Sequence, residues 1–223
     1  MSRVIVFDVN ETLLDLAALD THFQRLFDDP AVRREWFGQL LQSALVTTVL
    51  GEYRDFATIG RHALTQVAER HGVAVDDEDR ELIGGAMRSL PPHPEVPAAL
   101  GRLRDAGLRL AALTNSPPAQ AEAQLSHAGL SGFLERIMTV DLAQRLKPAR
   151  EVYTSAAREL GVETGGMRMV AAHAWDIAGA MHAGCAGAFV ARPGQVLDPL
   201  FPPPDIIGAD LTEVADAIVD AET

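Results

Sequence analysis

The chain has one cysteine and comparatively few positive charges, and both shortages exclude classes of protein. A single thiol, Cys185, cannot form a disulfide within the chain, and there is no cysteine pair to hold zinc. Nineteen lysines and arginines stand against 31 aspartates and glutamates, for a net charge of −12. Because nucleic acids and phospholipid surfaces are bound by neutralising phosphates, both are disfavoured as partners. The sequence also lacks a membrane-length apolar run and a signal-peptide pattern, which predicts a cytoplasmic protein.

The rest of the composition is typical of a globular chain. Hydrophobic residues make up 48% of the 223 residues and charged residues 22%, which is enough apolar side chain to bury a sizeable core. The length exceeds what one small core needs and falls short of two full-sized domains. We therefore expect one domain that carries an insertion.

Short apolar runs alternate with stretches of helical periodicity through most of the chain. We expect strands at residues 3–7, 108–113, 136–140, 168–172 and 187–190. We expect helices at residues 93–107, 119–128, 150–160, 176–183 and 211–221. This alternation predicts an α/β fold whose core is a Rossmann-like, doubly wound parallel sheet.

One long segment departs from the alternation. Between residues 16 and 90 the apolar positions recur at helical spacing, and no strand pattern interrupts them. We predict an inserted helical cap, residues 15–92, over a core domain formed by residues 1–14 and 93–223. Such a cap would lie over the strand ends and exclude water from an active site.

Polar residues follow the first two predicted strands, at the edge where a parallel sheet binds ligands. Asp8 ends the first strand and precedes a turn that contains Asn10 and Thr12. A carboxylate in this place is either a nucleophile that forms an ester or a turn cap. Thr114 and Asn115, in LAALTNSPP, are able to bind an oxyanion or a carboxylate, although the same residues are common in turns.

Two later segments add charged groups to the same edge. Lys147, in RLKPAREVY, either directs its ammonium into the crevice and lowers the pKa of a carboxylate there, or lies in solvent. Asp176, in AAHAWDIAGA, either acts as a general base or caps the helix that follows.

The four segments, in this order, resemble the haloacid dehalogenase superfamily across almost the whole chain. KPAREVY followed by AAHAWDIAGA is most similar to the L-2-haloacid dehalogenase (type II) branch. The resemblance implies that Asp8 attacks the halogen-bearing carbon of a small (S)-2-haloacid and that halide leaves. Water then hydrolyses the aspartyl ester and releases a 2-hydroxyacid.

The resemblance also implies roles for individual residues. It makes Asp8, Thr12, Lys147 and Asp176 catalytic. It places the following residues around the substrate: Asn10, Phe37, Thr114, Asn115, Tyr153, His173 and Trp175. Phe37, Ala171 and His173 depart from the pattern, because the branch carries an arginine, a serine and an asparagine there. The halide pocket is then rebuilt from Trp36, Phe37 and His173, or turnover is slow, or the substrate differs.

Two positions distinguish this branch from the phosphatases of the superfamily. The phosphatases carry a general acid two residues after the nucleophile and a further acid in the fourth motif for Mg²⁺, a hard cation. Asn10 and Ala172 occupy these positions here, which favours chemistry without a metal or other cofactor. A phosphatase acting on a small phosphoester, and a non-catalytic module that binds a small ligand, are the alternatives. A homodimer is expected from the family alone.

Overall fold

The computed structural model describes residues 2–223, which contain one parallel sheet of six strands in the order β3-β2-β1-β4-β5-β6. The strands are β1 Val4–Phe7, β2 Leu110–Thr114, β3 Arg136–Thr139, β4 Met167–Ala171, β5 Ala186–Val190 and β6 Ile206–Gly208. The chain order reverses between β1 and β4, which is the switch point of a doubly wound sheet. The predicted fold class is therefore confirmed.

The central strands are buried on both faces. Every residue of β1, β2 and β4 is buried, because helices cover both faces of a parallel sheet. Phe7 of β1 lies in register with Ala112 of β2 and with Val170 of β4. The residues that follow these three strands therefore emerge side by side at the carboxyl edge of the sheet.

Nine α-helices accompany the strands in residues 2–223. They are α1 Asp20–Phe27, α2 Val32–Val49, α3 Phe56–His71, α4 Asp77–Arg88, α5 Val96–Asp105, α6 Pro118–His127, α7 Arg150–Glu159, α8 Ala174–His182 and α9 Leu211–Glu222. None of these helices has the length and apolar character needed to cross a membrane.

The segment from residue 16 to residue 88 is helical and contains no strand, as predicted. Asp55 and Asp76 cap α3 and α4 with their carboxylates, which accept hydrogen bonds from backbone N–H groups of the first turns. The chain enters and leaves this segment side by side, since Leu14 forms an antiparallel bridge with Pro92. These crossings lie where the sequence predicts the ends of a cap, although the division into two domains stays a prediction.

A buried arginine joins the sheet to the last helix. The guanidinium of Arg168, on β4, donates to both carboxylate oxygens of Asp205 at 2.7 and 2.9 Å and to Glu222 at 2.9 Å. It also donates to the carbonyl of Gly187 at 2.8 Å. The arginine side chain is 1% exposed, so its charge depends on these partners rather than on water.

Candidate active site

Asp8 lies at the carboxyl end of β1 with both carboxylate oxygens engaged. Oδ2 accepts a hydrogen bond from the Thr12 hydroxyl at 2.8 Å, and Oδ1 accepts one from Nζ of Lys147 at 3.2 Å. The Thr12 hydroxyl itself accepts the backbone N–H of Ala172 at 3.0 Å. Burial raises the pKa of Asp8, but Lys147, His173 and Thr12 outweigh this effect and hold it well below its ordinary range. Asp8 is therefore an ionised carboxylate in a place that water scarcely reaches.

Lys147 lies between two carboxylates. Its buried ammonium donates to Asp176 Oδ2 at 2.8 Å as well as to Asp8. Its backbone N–H donates to Oδ1 of Asn115 at 3.0 Å. Burial lowers the pKa of Lys147, but the charges of Asp176 and Asp8 outweigh it and raise that pKa. The side chain points into the crevice as predicted, and the alternative of a solvent-exposed lysine is wrong.

Asp176 is held from two sides. Oδ1 accepts the Tyr153 hydroxyl at 2.6 Å, and Oδ2 accepts the Lys147 ammonium. Burial and the charge of Asp8 raise the pKa of Asp176 against the opposing effect of Lys147. The alternative that Asp176 caps the following helix is wrong. The helix begins at Ala174 with His173 in the N-cap position, so Asp176 lies within its first turn.

His173 connects the Asp8 carboxylate to a second acid. Nδ1 lies 3.3 Å from Oδ2 of Asp8, and Nε2 lies 2.9 Å from Oε2 of Glu11. The imidazole stacks on Trp175 at 5.2 Å between ring centroids and packs against Phe37 at 5.8 Å. Burial lowers the pKa of His173, but Asp8 and Glu11 outweigh it and raise the pKa to about 9. The imidazole is therefore protonated at neutral pH while Asp8 is ionised.

A cavity of about 540 Å³ ends against this group. Glu11, His173, Phe37 and Trp175 line it, and Arg33 of α2 contributes a cation to its wall. Ligand pockets of small molecules have volumes of about 300–1,000 Å³. The cavity thus has room for a small organic acid, and it reaches His173, which lies next to Asp8.

A family model described as haloacid dehalogenase-like hydrolase matches residues 2–184. The chain belongs to the haloacid dehalogenase-like hydrolases. An (S)-2-haloacid dehalogenase of Pseudomonas sp. (strain YL) is 30% identical over 205 residues, which cover 90% of this chain and 88% of that protein. The (S)-2-haloacid dehalogenase H-109 of Pseudomonas putida is 28% identical over 218 residues, 97% of each chain. The solved L-2-haloacid dehalogenase of Xanthobacter autotrophicus shares the fold, with a TM-score of 0.91, 23% identity and 98% of each chain covered.

The comparisons confirm the resemblance to the L-2-haloacid dehalogenase branch that the four sequence segments indicate. The relatives align along nearly their full lengths, so the match includes the helical segment as well as the sheet. They leave the roles of single residues in this hydrolase untested.

Three predicted substrate residues in this hydrolase are engaged by protein groups. The amide of Asn10 donates to the Ser116 hydroxyl at 3.2 Å and accepts from Gln124 at 3.0 Å. The Thr114 hydroxyl accepts the backbone N–H of Ser116 at 3.1 Å. Asn115 differs, because Oδ1 is used by Lys147 while Nδ2 is not engaged by any residue from 2 to 223. Asn115 is thus the one of the three whose side-chain nitrogen has no partner among these residues.

Of the three aromatic side chains Trp36, Phe37 and Trp175, which are predicted at the substrate pocket of this hydrolase, two line the cavity. Phe37 and Trp175 line the cavity beside His173. Trp36 does not, because its Nε1 donates to the carbonyl of Gly60 at 2.9 Å and its ring lies between α2 and α3. The expectation that Trp36 helps to rebuild a halide pocket is therefore wrong.

Glu11 is the site residue that sequence reasoning missed. Its φ of 62° lies in the left-handed region, which is uncommon for a residue with a side chain. The carboxylate binds His173, accepts a hydrogen bond from Gln195 at 3.1 Å and lies 3.6 Å from Nη1 of Arg33. The available signal was an acid between Asn10 and Thr12, in the turn that follows Asp8.

The described part of this hydrolase has no ready-made cation site. No group of three or more histidine, cysteine, aspartate or glutamate side chains in residues 2–223 could hold a metal ion. The two positions at which the phosphatases carry further acids hold Asn10 and Ala172, and both are buried.

Proposed function

We propose that this hydrolase removes halide from a small (S)-2-haloacid through a covalent ester at Asp8. The observation that carries the proposal is the Asp8 carboxylate itself, which is ionised, buried and oriented by Thr12 and Lys147. An oxygen of Asp8 attacks the α-carbon, the carbon–halogen bond breaks, and halide leaves with the electron pair. In-line attack inverts that carbon. Water then attacks Cγ of the ester, and the (R)-2-hydroxyacid leaves.

The surrounding groups support this displacement. Thr12 and Lys147 hold the carboxylate in one orientation, and Asp176 with Tyr153 holds the lysine ammonium in place. The free Nδ2 of Asn115 would bind the substrate carboxylate. Phe37 and Trp175 would enclose the apolar part of the substrate, and the helical segment that carries Phe37 would serve as a cap against water.

The same geometry disfavours transfer of a phosphoryl group. An alkoxide leaving group needs a proton, whereas a halide leaves without one. The residue two positions after Asp8 is Asn10, a neutral amide that is buried and bonded to Ser116 and Gln124. An amide N–H is far too weak an acid to protonate a leaving alkoxide. The proposal also includes turnover that needs no added metal ion.

The proposal is tested by halide release from the two enantiomers of 2-chloropropionate and from haloacetates with EDTA present. Wild type is compared with Asp8→Asn, and Asp105→Asn, at a solvent-exposed acid, serves as the matched control. We expect release from the S enantiomer by the wild type and the control, and none by Asp8→Asn. In heavy-oxygen water, with enzyme in excess over substrate, the label should enter Asp8 rather than the product.

Other results would point to the alternatives. A folded wild type that releases no halide, but is stabilised by the haloacid, would be a binding module. Release of phosphate from a small phosphoester that depends on Mg²⁺ would favour a phosphatase. Either result overturns the proposed dehalogenation.

The homodimer and the cytoplasmic location remain proposals. The end of α2 supports the first, because Leu45, Val46, Val49 and Leu50 expose between 40% and 85% of their surface to solvent. Light scattering that shows a monomer at micromolar concentration would remove the dimer. The lone cysteine supports a reducing compartment, and fractionation of cells would test it.

A further inference from the structure

One nitrogen of the imidazole next to Asp8 is buried without a hydrogen-bond partner. Nδ1 of His173 lies 3.3 Å from Oδ2 of Asp8, but no hydrogen bond satisfies it within residues 2–223. The residue is 4% exposed, so bulk water does not provide a partner either. An unsatisfied buried polar group is costly and is common where a ligand or a reacting water is bound.

The other nitrogen of the ring is anchored. Nε2 faces Oε2 of Glu11 at 2.9 Å, and stacking on Trp175 fixes the plane of the imidazole. When the ring is neutral, donation of the Nε2 proton to Glu11 leaves the lone pair on Nδ1, directed toward Asp8. Nucleophile, imidazole and second carboxylate thus form a chain in which the imidazole is oriented by the outer acid.

We propose that His173, oriented by Glu11, removes the proton from the water that hydrolyses the Asp8 ester. This inference rests on the proposed function, since it needs an ester at Asp8. It assigns to His173 a catalytic role and to Glu11 a positioning role.

The proton balance of the step is complete. The water oxygen bonds to Cγ of Asp8 while one water proton moves to Nδ1 of His173. The bond from Cγ to the alkyl oxygen then breaks, and the leaving alkoxide takes the proton from Nδ1 to form the 2-hydroxyacid. The second water proton remains on the Asp8 carboxyl and dissociates, which regenerates the carboxylate. One haloacid and one water thus give one hydroxyacid, one halide and one proton.

Asp176, which the sequence predicts as the activating group, is less available for this step. Its carboxylate is fully buried, and each oxygen already accepts a hydrogen bond, one from Tyr153 and one from Lys147. Nδ1 of His173 has no such partner. In this arrangement Asp176 positions the lysine, and His173 is the group that accepts the water proton once the ester has formed.

Formation of the ester itself changes the charge around His173. In the resting site Asp8 and Glu11 are the anions that face the ring, with Lys147 against Asp8 and Arg33 near Glu11. Esterification neutralises Asp8 and leaves both cations in place. The imidazolium is then less stabilised, so its proton passes to solvent through the cavity. The imidazole is therefore neutral, and able to accept a proton, at the stage when water attacks the ester.

The test separates the two halves of the reaction. In His173→Gln we expect one equivalent of halide per enzyme, after which release stops. Intact-protein mass spectrometry should show the ester on the protein. Because kcat/KM reports the first irreversible step, which is formation of the ester, it should change far less than kcat. The value of kcat should fall about 10²–10⁴-fold, as for loss of a general base. His127→Gln, at an exposed histidine, is the control.

A second pair of variants tests the positioning role. Glu11→Gln keeps an acceptor for Nε2 but removes the charge, whereas Glu11→Gly removes both and relaxes the left-handed backbone. We expect ester to accumulate in both variants, and more in Glu11→Gly, although the glycine variant should fold at least as stably. The two Glu11 variants therefore test the role of His173 even if His173→Gln does not fold.

Two outcomes distinguish failure of the role proposed for His173 and Glu11 from failure of the proposed dehalogenation. A wild type that releases no halide overturns the proposed function. A wild type that is active, with variants at 173 and 11 whose kcat and kcat/KM fall together and which form no ester, overturns the inference alone.

Discussion

Replacing Lys147 with methionine would leave Asp8 and Asp176 as two buried carboxylates without the cation that lies between them. The ammonium is 3.2 Å from one carboxylate and 2.8 Å from the other, and none of its surface is exposed. Methionine preserves most of the volume of the lysine stem, so the change removes charge more than packing.

The magnitude follows from these distances. At an effective dielectric constant of 20, each attraction is about 5–6 kcal/mol, much of which offsets the cost of desolvating the charges. Removal of one partner from a buried pair costs about 3–5 kcal/mol. We therefore expect Lys147→Met to lose about that much free energy of unfolding, a large share of the roughly 5–15 kcal/mol typical of native proteins.

A second substitution isolates the electrostatic part. In Lys147→Met with Asp176→Asn, one of the two uncompensated charges is gone, so the double variant should recover about 1–3 kcal/mol relative to Lys147→Met. Urea titration followed by circular dichroism measures all four members of the cycle. Equal slopes would show that the unfolded states are comparable.

The same variant predicts a change in pH dependence. Lys147 helps to hold the pKa of Asp8 below its ordinary range, and the proposed mechanism needs Asp8 to be ionised when it attacks. Without the ammonium that pKa rises, so the acid limb of halide release should move to higher pH. The reasoning fails if Lys147→Met is as stable as wild type and keeps its acid limb in place.

Two further predictions concern stability. Arg168→Met should lower the free energy of unfolding by about 1–3 kcal/mol because it removes the buried guanidinium that binds the buried carboxylate of Glu222, the exposed carboxylate of Asp205 and the carbonyl of Gly187. Arg136→Met, at an exposed ion pair, should change it by less than about 0.5 kcal/mol. Equal effects in urea titration would contradict this. A Cβ at Gly179 would overlap Cβ of Pro148 and lie 3.0 Å from its carbonyl oxygen, so Gly179→Ala should cost about 1–3 kcal/mol. A Cβ at Gly84 would meet only Nη1 of Arg88, at 3.9 Å, so Gly84→Ala should gain about 0.5–1 kcal/mol. Melting temperatures that shift in the same direction in the two variants would refute the comparison.

Most elements of the fold were predictable because their signals are local. The central strands are short apolar runs, and their polar residues come directly after them, as at Asp8 and Asn115. The predicted strand bounds agree with the observed ones to within two residues. The strand β6 was missed because Ile206–Gly208 has only three residues and one of them is exposed, which is too short for a periodic pattern.

Neighbouring residues on one helix show where local reasoning stops. Trp36 and Phe37 are adjacent on α2, and successive side chains on a helix point about 100° apart. Only the packing of α2 against α3 decides that Phe37 faces His173 while Trp36 turns to Gly60. Asp176 is a second example. Its carboxylate accepts hydrogen bonds from Lys147 and Tyr153 and not from backbone N–H groups at the start of α8.

The sequence by itself determined that the sheet is parallel, at which edge of the sheet the site forms, and that Asp8 lies at this edge. These follow from hydrophobic periodicity and from the rule that parallel strands end at one edge. The tertiary structure alone decided that Glu11 meets His173 across 162 positions of the chain and that Nδ1 faces Asp8 unpartnered. Contacts of that range depend on how distant backbones pack, and no local pattern encodes that packing.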